Sequence, residues 1–263
     1  MNNEIKIIFV DIDWTLIDHS FKPFKYDKKS IKALKKAQKL GIKVFINTAR
    51  PYHSVKQIKL FDLIKPDGMI LSNGGVVIYN NEVLYTSDIK EEYFESICKT
   101  AIKNNLNLEG VRVYDCFMIK ELDDATKALF ATYPEDIPPV EDYHHQKVIG
   151  INLFASKEYD EKFIKILPKD YVYFRYHDFG VDIAPSPHDK GEAIKIVLDK
   201  LNISKDHALA IGDDIVDISM FNNVKYGIAM GNAKEEVKIE ASHITSHVNK
   251  HGVKKALKEI VFK

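Results

Sequence analysis

Along the chain, short mainly apolar runs alternate with stretches in which apolar residues recur every three or four positions. Residues 5–10, 42–47, 69–71, 207–211 and 226–230 are runs of the first kind. They place apolar side chains on both faces, as strands buried in a parallel sheet do. Residues 27–40 are of the second kind. Ile31, Leu34, Ala37 and Leu40 fall at helical spacing, Asp27 can cap the start and Gly41 can stop the end. Pro51 suits the first turn of a helix reaching about residue 61. Further helices are predicted over 190–201, up to residue 221, over 234–241 and over 253–261. Strands and helices in this alternation make a right-handed parallel α/β sheet.

The pattern changes after residue 75. Residues 76–79 and 83–85, joined at Asn80-Asn81, read as a β-hairpin. A helix over 91–103, strands over 111–114 and 116–119 and a helix starting near Asp123 follow. A strand over 147–154, a helix over 159–167 and strands over 171–176 and 180–183 complete the segment. Pro134, Pro138 and Pro139 mark a loop inside it. Strand pairs interleaved with helices suggest an α+β unit around an antiparallel sheet. The expected organisation is an α/β core made of residues 1–82 and 187–263, with residues 83–186 inserted into it.

Charge excludes little and composition less. Lys plus Arg and Asp plus Glu both number 38, so no net charge points to nucleic acid or to an anionic membrane surface. No apolar run approaches the roughly 20 residues that span a bilayer. The first residues lack the basic region and cleavage site of a signal peptide. Cys98 and Cys116 are the only cysteines, too few and too isolated for a zinc cage; one disulfide is open to them, and two reduced thiols in a cytoplasmic protein are expected. Oligomeric state is open at this level.

Polar residues that bear on chemistry gather where the apolar runs stop. Asp11 and Asp13 follow the first, Thr48 the second, and Asp213, Asp214 and Asp217 the strand ending at Ile211. Lys190 opens the helix after the insertion. Parallel topology brings all of these to one sheet edge, where ligands of open α/β sheets bind. Clustered carboxylates repel one another unless a cation sits among them. Carboxylate oxygens and water are what magnesium prefers. A lysine and a hydroxyl beside that ion complete a pocket for a phosphoryl group. Taken singly, the aspartate pair reads as a turn, Thr48 as a helix cap and Lys190 as a solvated lysine. Their joint order favours the site. Arg50 could reach a ligand or form a surface ion pair.

Asp11-Ile-Asp-Trp-Thr-Leu, Thr48, Lys190-Gly191 and Gly212-Asp-Asp-Ile-Val-Asp217 resemble the four motifs of the haloacid dehalogenase superfamily of phosphotransferases. The large insertion, Asn73-Gly74-Gly75, Ala229-Met-Gly-Asn-Ala233 and His251-Gly252-Val253 resemble its Cof-type branch. The resemblance implies a Rossmann-like parallel-sheet core with an inserted α+β cap domain. It implies a magnesium-dependent phosphomonoesterase acting on a small phosphorylated metabolite such as a sugar phosphate, through an aspartyl-phosphate. Asp11 is then the nucleophile and Asp13 the acid/base. Mg²⁺ lies on Asp11, Asp213 and the backbone carbonyl of Asp13, with Asp217 in support. Thr48, Lys190 and the amides of Ile12 and Ala49 hold phosphate. On the charge balance, neither a nucleic-acid nor a membrane partner is expected.

Three positions depart from the pattern. Trp14 and Ala49 replace usual glycines, and Val216 replaces an asparagine that helps to hold phosphate. A phosphotransferase or mutase using the same chemistry, a receiver-like phospho-carrier and a catalytically weak phosphate-binding protein are the rival readings.

Overall fold

Ile7–Val10, fully buried, lies inside an eight-stranded sheet. Lys43–Asn47 and then Gly68–Leu71 pair on one side of it. Ala208–Gly212, Tyr226–Ala229 and the two-residue His243–Ile244 follow on the other side, all in parallel register. Val76–Tyr79 joins antiparallel to Gly68–Leu71, and Glu82–Thr86 completes the edge. The hairpin between these last strands turns at Asn80 and Asn81. Both have positive φ, 50° and 65°, which asparagine tolerates better than most residues. A computed structural model describes residues 5–123, 127 and 136–262.

Chain contacts divide the protein into two units. The first holds this sheet and is made of the chain up to Arg50, Lys59–Tyr85 and the chain from Asp189 onward. The second is made of Pro51–Ile58 and Thr86–His188. In the first unit, Ile7, Phe9 and Phe45 share a buried cluster with Ile194 and Val197 of the helix Lys190–Leu201 and with Met220 and Phe221 of the helix Ile218–Asn222. Register fixes the site: Val10 lies opposite both Ile46 and Ile211. The residues that follow each strand therefore leave the sheet side by side.

The second unit is built on a five-stranded antiparallel sheet. Its order is Tyr171–His177, Gly180–Pro185, Gly150–Phe154, Asn107–Val111, Cys116–Met118. Leu108, Ile151, Leu153, Val181 and Ile183 pack with Phe94, Ile97 and Cys98 of the helix Glu91–Lys103. Glu109, Asn152 and Asp182 form a polar row across three strands. Burial, and then the Glu109 charge, push the Asp182 carboxyl up to about 7.

Several elements differ from the sequence expectation. The strand expected over 111–114 is Asn107–Val111, hidden in the pattern by the buried polar residues Asn107 and Glu109. Arg112 closes a turn instead, its amide donating to the Asp115 carbonyl at 2.9 Å. The helix expected to reach residue 61 is two helices, Tyr52–Gln57 and Leu60–Leu63, with Lys59 left-handed between them at φ 60°. Pro51 caps the first of these rather than opening it. The helix expected from near Asp123, like Pro134, lies outside the described residues. No helix among the described residues is long and apolar enough to cross a membrane.

Candidate active site

A cavity of about 490 Å³ opens where the central strands of the first unit end. Every predicted site residue except Ile12 lines it: Asp11, Asp13, Thr48, Ala49, Lys190, Asp213 and Asp217. Ile12 is buried, and its carbonyl accepts from the amides of Thr15, Leu16 and Ile17. That tight turn brings Trp14 to φ 54°, in the left-handed region that favours glycine. The departure at position 14 is thus a conformational one. Trp14 rests against the His19 ring, centroids 5.4 Å apart.

Lys190 is the hub. Its Nζ donates to Asp11 Oδ1 at 2.7 Å and to Asp217 Oδ1 at 2.6 Å, and all three side chains are almost fully buried. Asp189 caps the helix that carries it, accepting from the Gly191 and Glu192 amides. Burial opposes the Lys190 charge, but the two carboxylates outweigh it and hold the proton on more firmly than usual. Burial drives Asp11 well above the ordinary carboxylate range. Lys190 opposes that shift, while Asp217, Asp213 and Asp13 add to it.

The loop after Ala208–Gly212 is shaped by Asp217. One of its carboxylate oxygens accepts from the amides of Asp213 and Asp214 at 2.8 and 3.0 Å. Asp214 and Asp217 together form a capping box. A Cβ on residue 212 would run into the Asp217 carboxylate, which explains the glycine there. Asp213, pushed up to about 7 by burial and then by Asp217, accepts a hydrogen bond from the Thr15 hydroxyl at 3.2 Å.

Asp13 is held differently. Arg50 grips it with two bonds, Nε to Oδ2 at 2.8 Å and Nη2 to Oδ1 at 2.9 Å, while His19 Nε2 lies 2.6 Å from Oδ1. Burial would raise this carboxyl, but the bonds from His19 and Arg50 hold it well below the usual range. Arg50, left open between ligand and surface pair by the sequence, is thus an ion-pair partner of the predicted acid/base. Thr48, almost fully buried, accepts from the Arg50 amide at 3.1 Å.

Several residues outside the predicted site also line the cavity or brace it. Asn232 donates to the Trp14 carbonyl at 2.8 Å and accepts from the Val248 amide, tying three segments together. Lys234 and His247 also line the cavity. Asn232 had a signal, since it stands in one of the branch-like motifs. His247 and Lys234 had none, because neither lies in a strand-end motif.

The donor set suits a hard divalent cation. Asp11, Asp213 and Asp217 each offer an oxygen, all within 4.8 Å of one another. The raised Asp11 and Asp213 carboxyls are what a cation would relieve. Oxygen-only coordination matches magnesium.

Known proteins resemble this chain over almost its whole length. Residues 8–257 match the family model of haloacid dehalogenase-like hydrolases. YkrA of Bacillus subtilis (strain 168) is 29% identical over 267 residues, spanning 97% of both chains. A solved Geobacillus kaustophilus HTA426 protein superposes with a TM-score of 0.88 at 29% identity, over 97% of this chain and 98% of that one. The subclass IIB sugar phosphatase BT4131 superposes with a TM-score of 0.79 at 26% identity, with the same coverage.

Proposed function

We propose that this chain, which belongs to the haloacid dehalogenase-like hydrolases, is a magnesium-dependent phosphomonoesterase of small phosphorylated metabolites, with a sugar phosphate as the favoured substrate class. The observation that carries the reading is Lys190 bridging Asp11 and Asp217 in a cavity shared with Asp13, Thr48 and Asp213. The sugar-phosphatase activity named for BT4131 supports the substrate class. A cavity of about 490 Å³ suits a small molecule.

In this reading an Asp11 oxygen attacks phosphorus, and the ester oxygen leaves with a proton from Asp13. Water then attacks the aspartyl-phosphate, Asp13 takes its proton, and inorganic phosphate departs. Asp13 rests ionised against Arg50 and His19. Before it can donate, it must give up at least one of those bonds and take up a proton from solvent. A phosphate that draws the guanidinium to its own oxygens provides the exchange, so Arg50 joins the groups that receive phosphate. Lys190 keeps the Asp11 carboxylate oriented, and Thr48 with the Ile12 and Ala49 amides completes the cradle. Asp11, Asp213 and the Asp13 carbonyl would hold Mg²⁺, with Asp217 in support. The ion supplies positive charge against the phosphoryl oxygens. We place the enzyme in the cytoplasm, which suits two cysteines that form no disulfide.

The test is a panel of metabolite phosphates with and without a chelator. Turnover is lost on chelation and returns with magnesium. Asp11→Asn lowers turnover of a generic aryl phosphate by about a thousandfold or more in a folded protein. Wild-type turnover in that variant would overturn the nucleophile assignment. Added acceptor alcohols, with product analysis, separate hydrolysis from phosphoryl transfer.

A further inference from the structure

The second unit carries a constellation that this chemistry does not use. Glu109 pairs with Met118 and Val111 with Cys116 across two antiparallel strands, so Glu109 and Cys116 are diagonal neighbours on one face. His53, on the helix Tyr52–Gln57 of the same unit, meets them there, its Nε2 lying 3.2 Å from Glu109 Oε1. The three side chains each offer a ligand atom, all within 4.8 Å of one another. Glu109 and Cys116 are each 6% exposed.

The polar atoms are under-served for such depth. Glu109 Oε1 and His53 Nδ1 are buried with no hydrogen-bond partner among the described residues, although His53 Nε2 lies 3.2 Å from Glu109 Oε1. Asn152 reaches the other Glu109 oxygen only at 3.4 Å. Buried carboxylates are normally paired in full or coordinate a metal. A plain ion pair accounts for His53 beside Glu109. It leaves the buried Glu109 oxygen unsatisfied.

We propose that His53, Glu109 and Cys116 form a binding site for a zinc-class divalent cation, separate from the magnesium-type aspartate cluster. Nitrogen, oxygen and sulfur together are the donor set of zinc, whereas magnesium takes oxygen alone. Metal–ligand bonds of about 2.0–2.3 Å in a tetrahedron put the ligand atoms about 3.3–3.7 Å apart. The His53–Glu109 separation is already close to that, so the remaining adjustment falls on Cys116. On binding, the Cys116 thiol gives its proton to solvent and coordinates as thiolate. A water fills the fourth position. The ion clips the Tyr52–Gln57 helix to the sheet of its own unit.

The experiment is titration of metal-free full-length protein with cobalt(II), a spectroscopic stand-in for zinc. One equivalent produces a thiolate-to-cobalt charge-transfer band, which zinc then abolishes. The aspartate cluster offers only oxygen and gives no such band, so the readout is independent of phosphatase activity. Cys98→Ser keeps the band, Cys116→Ser loses it, and His53→Ala weakens binding by about a hundredfold. Zinc raises the melting temperature of the wild type and not of His53→Ala. No band in folded protein at excess cobalt, or a band that survives in Cys116→Ser, overturns the proposal. If Cys116→Ser does not fold, undiminished binding in His53→Ala overturns it as well.

Discussion

Trp14 sits at φ 54° between the predicted acid/base and the Thr15 hydroxyl that bonds Asp213. The left-handed region costs a residue with a Cβ roughly 1–2 kcal/mol, and glycine avoids that cost. Trp14→Gly trades this relief against the lost ring contact with His19 and a more flexible unfolded chain. Its unfolding midpoint is expected to stay close to that of the wild type. Turnover is kept while the ranking of substrates by kcat/KM changes, because a half-exposed indole at the cavity wall is removed. Complete loss of activity in a folded variant would show the position to be misread. Arg50 is the second residue-scale test. Arg50→Met removes two hydrogen bonds and a charge from Asp13, so its carboxyl rises toward the ordinary range, which carboxyl ¹³C NMR titration reads directly. The sign for stability follows. A folded-state pKa below the unfolded one contributes stability above about pH 4, and that stability is shed on acidification. The wild type therefore loses more stability than Arg50→Met as pH falls through the acid range.

At the scale of elements, the helix Lys28–Lys39 owes its start to Asp27. This carboxylate accepts from the Lys29 and Ser30 amides and faces His251 Nδ1 at 2.8 Å, just before the helix Gly252–Ile260. The Lys254 amide in turn donates to the Ser30 hydroxyl at 3.0 Å. One cap thus joins two helices distant in sequence. Asp27→Ala is expected to cost about 1–2 kcal/mol in denaturant unfolding, at the upper end for a helix cap. His251→Ala alone costs less, because the amide caps survive it. The capping box of Asp214 and Asp217 is a different case: it shapes the loop that presents Asp213, so its loss falls on activity first.

At the scale of the whole molecule, both units bury carboxylates that rise to about 7: Asp213 in the first and Asp182 in the second. Between the unfolded value near 4 and 7, a folded chain with such a group binds more protons than the unfolded chain. Its stability therefore falls as pH rises across that window and levels off above it. Asp182→Asn removes this component in metal-free protein. Its urea midpoint is expected to be flatter than that of the wild type between about pH 4 and 7. An unchanged slope would mean that Asp182 titrates normally.

Much of this molecule is written in local patterns. Apolar runs without alternation announced the central strands, Asp27 and Gly41 bounded a helix, and Asn80-Asn81 announced a hairpin. The ordered strand-end residues Asp11, Asp13, Thr48 and Asp213, with Lys190 at a helix start, named a candidate site, because parallel topology carries every strand end to the same edge. These features depend on neighbours a few residues away, which a sequence displays. The grip of Arg50 on Asp13, the tie from Asn232 to Trp14 and the meeting of His53 with Glu109 and Cys116 are different. Each depends on strand register and on the close approach of remote segments, and no periodicity along the chain records either. The sequence alone determined the fold class and the chemistry of the strand ends. Tertiary structure decided how each carboxylate is held, and so which is buried against lysine, which is tied to arginine and which is left for a cation.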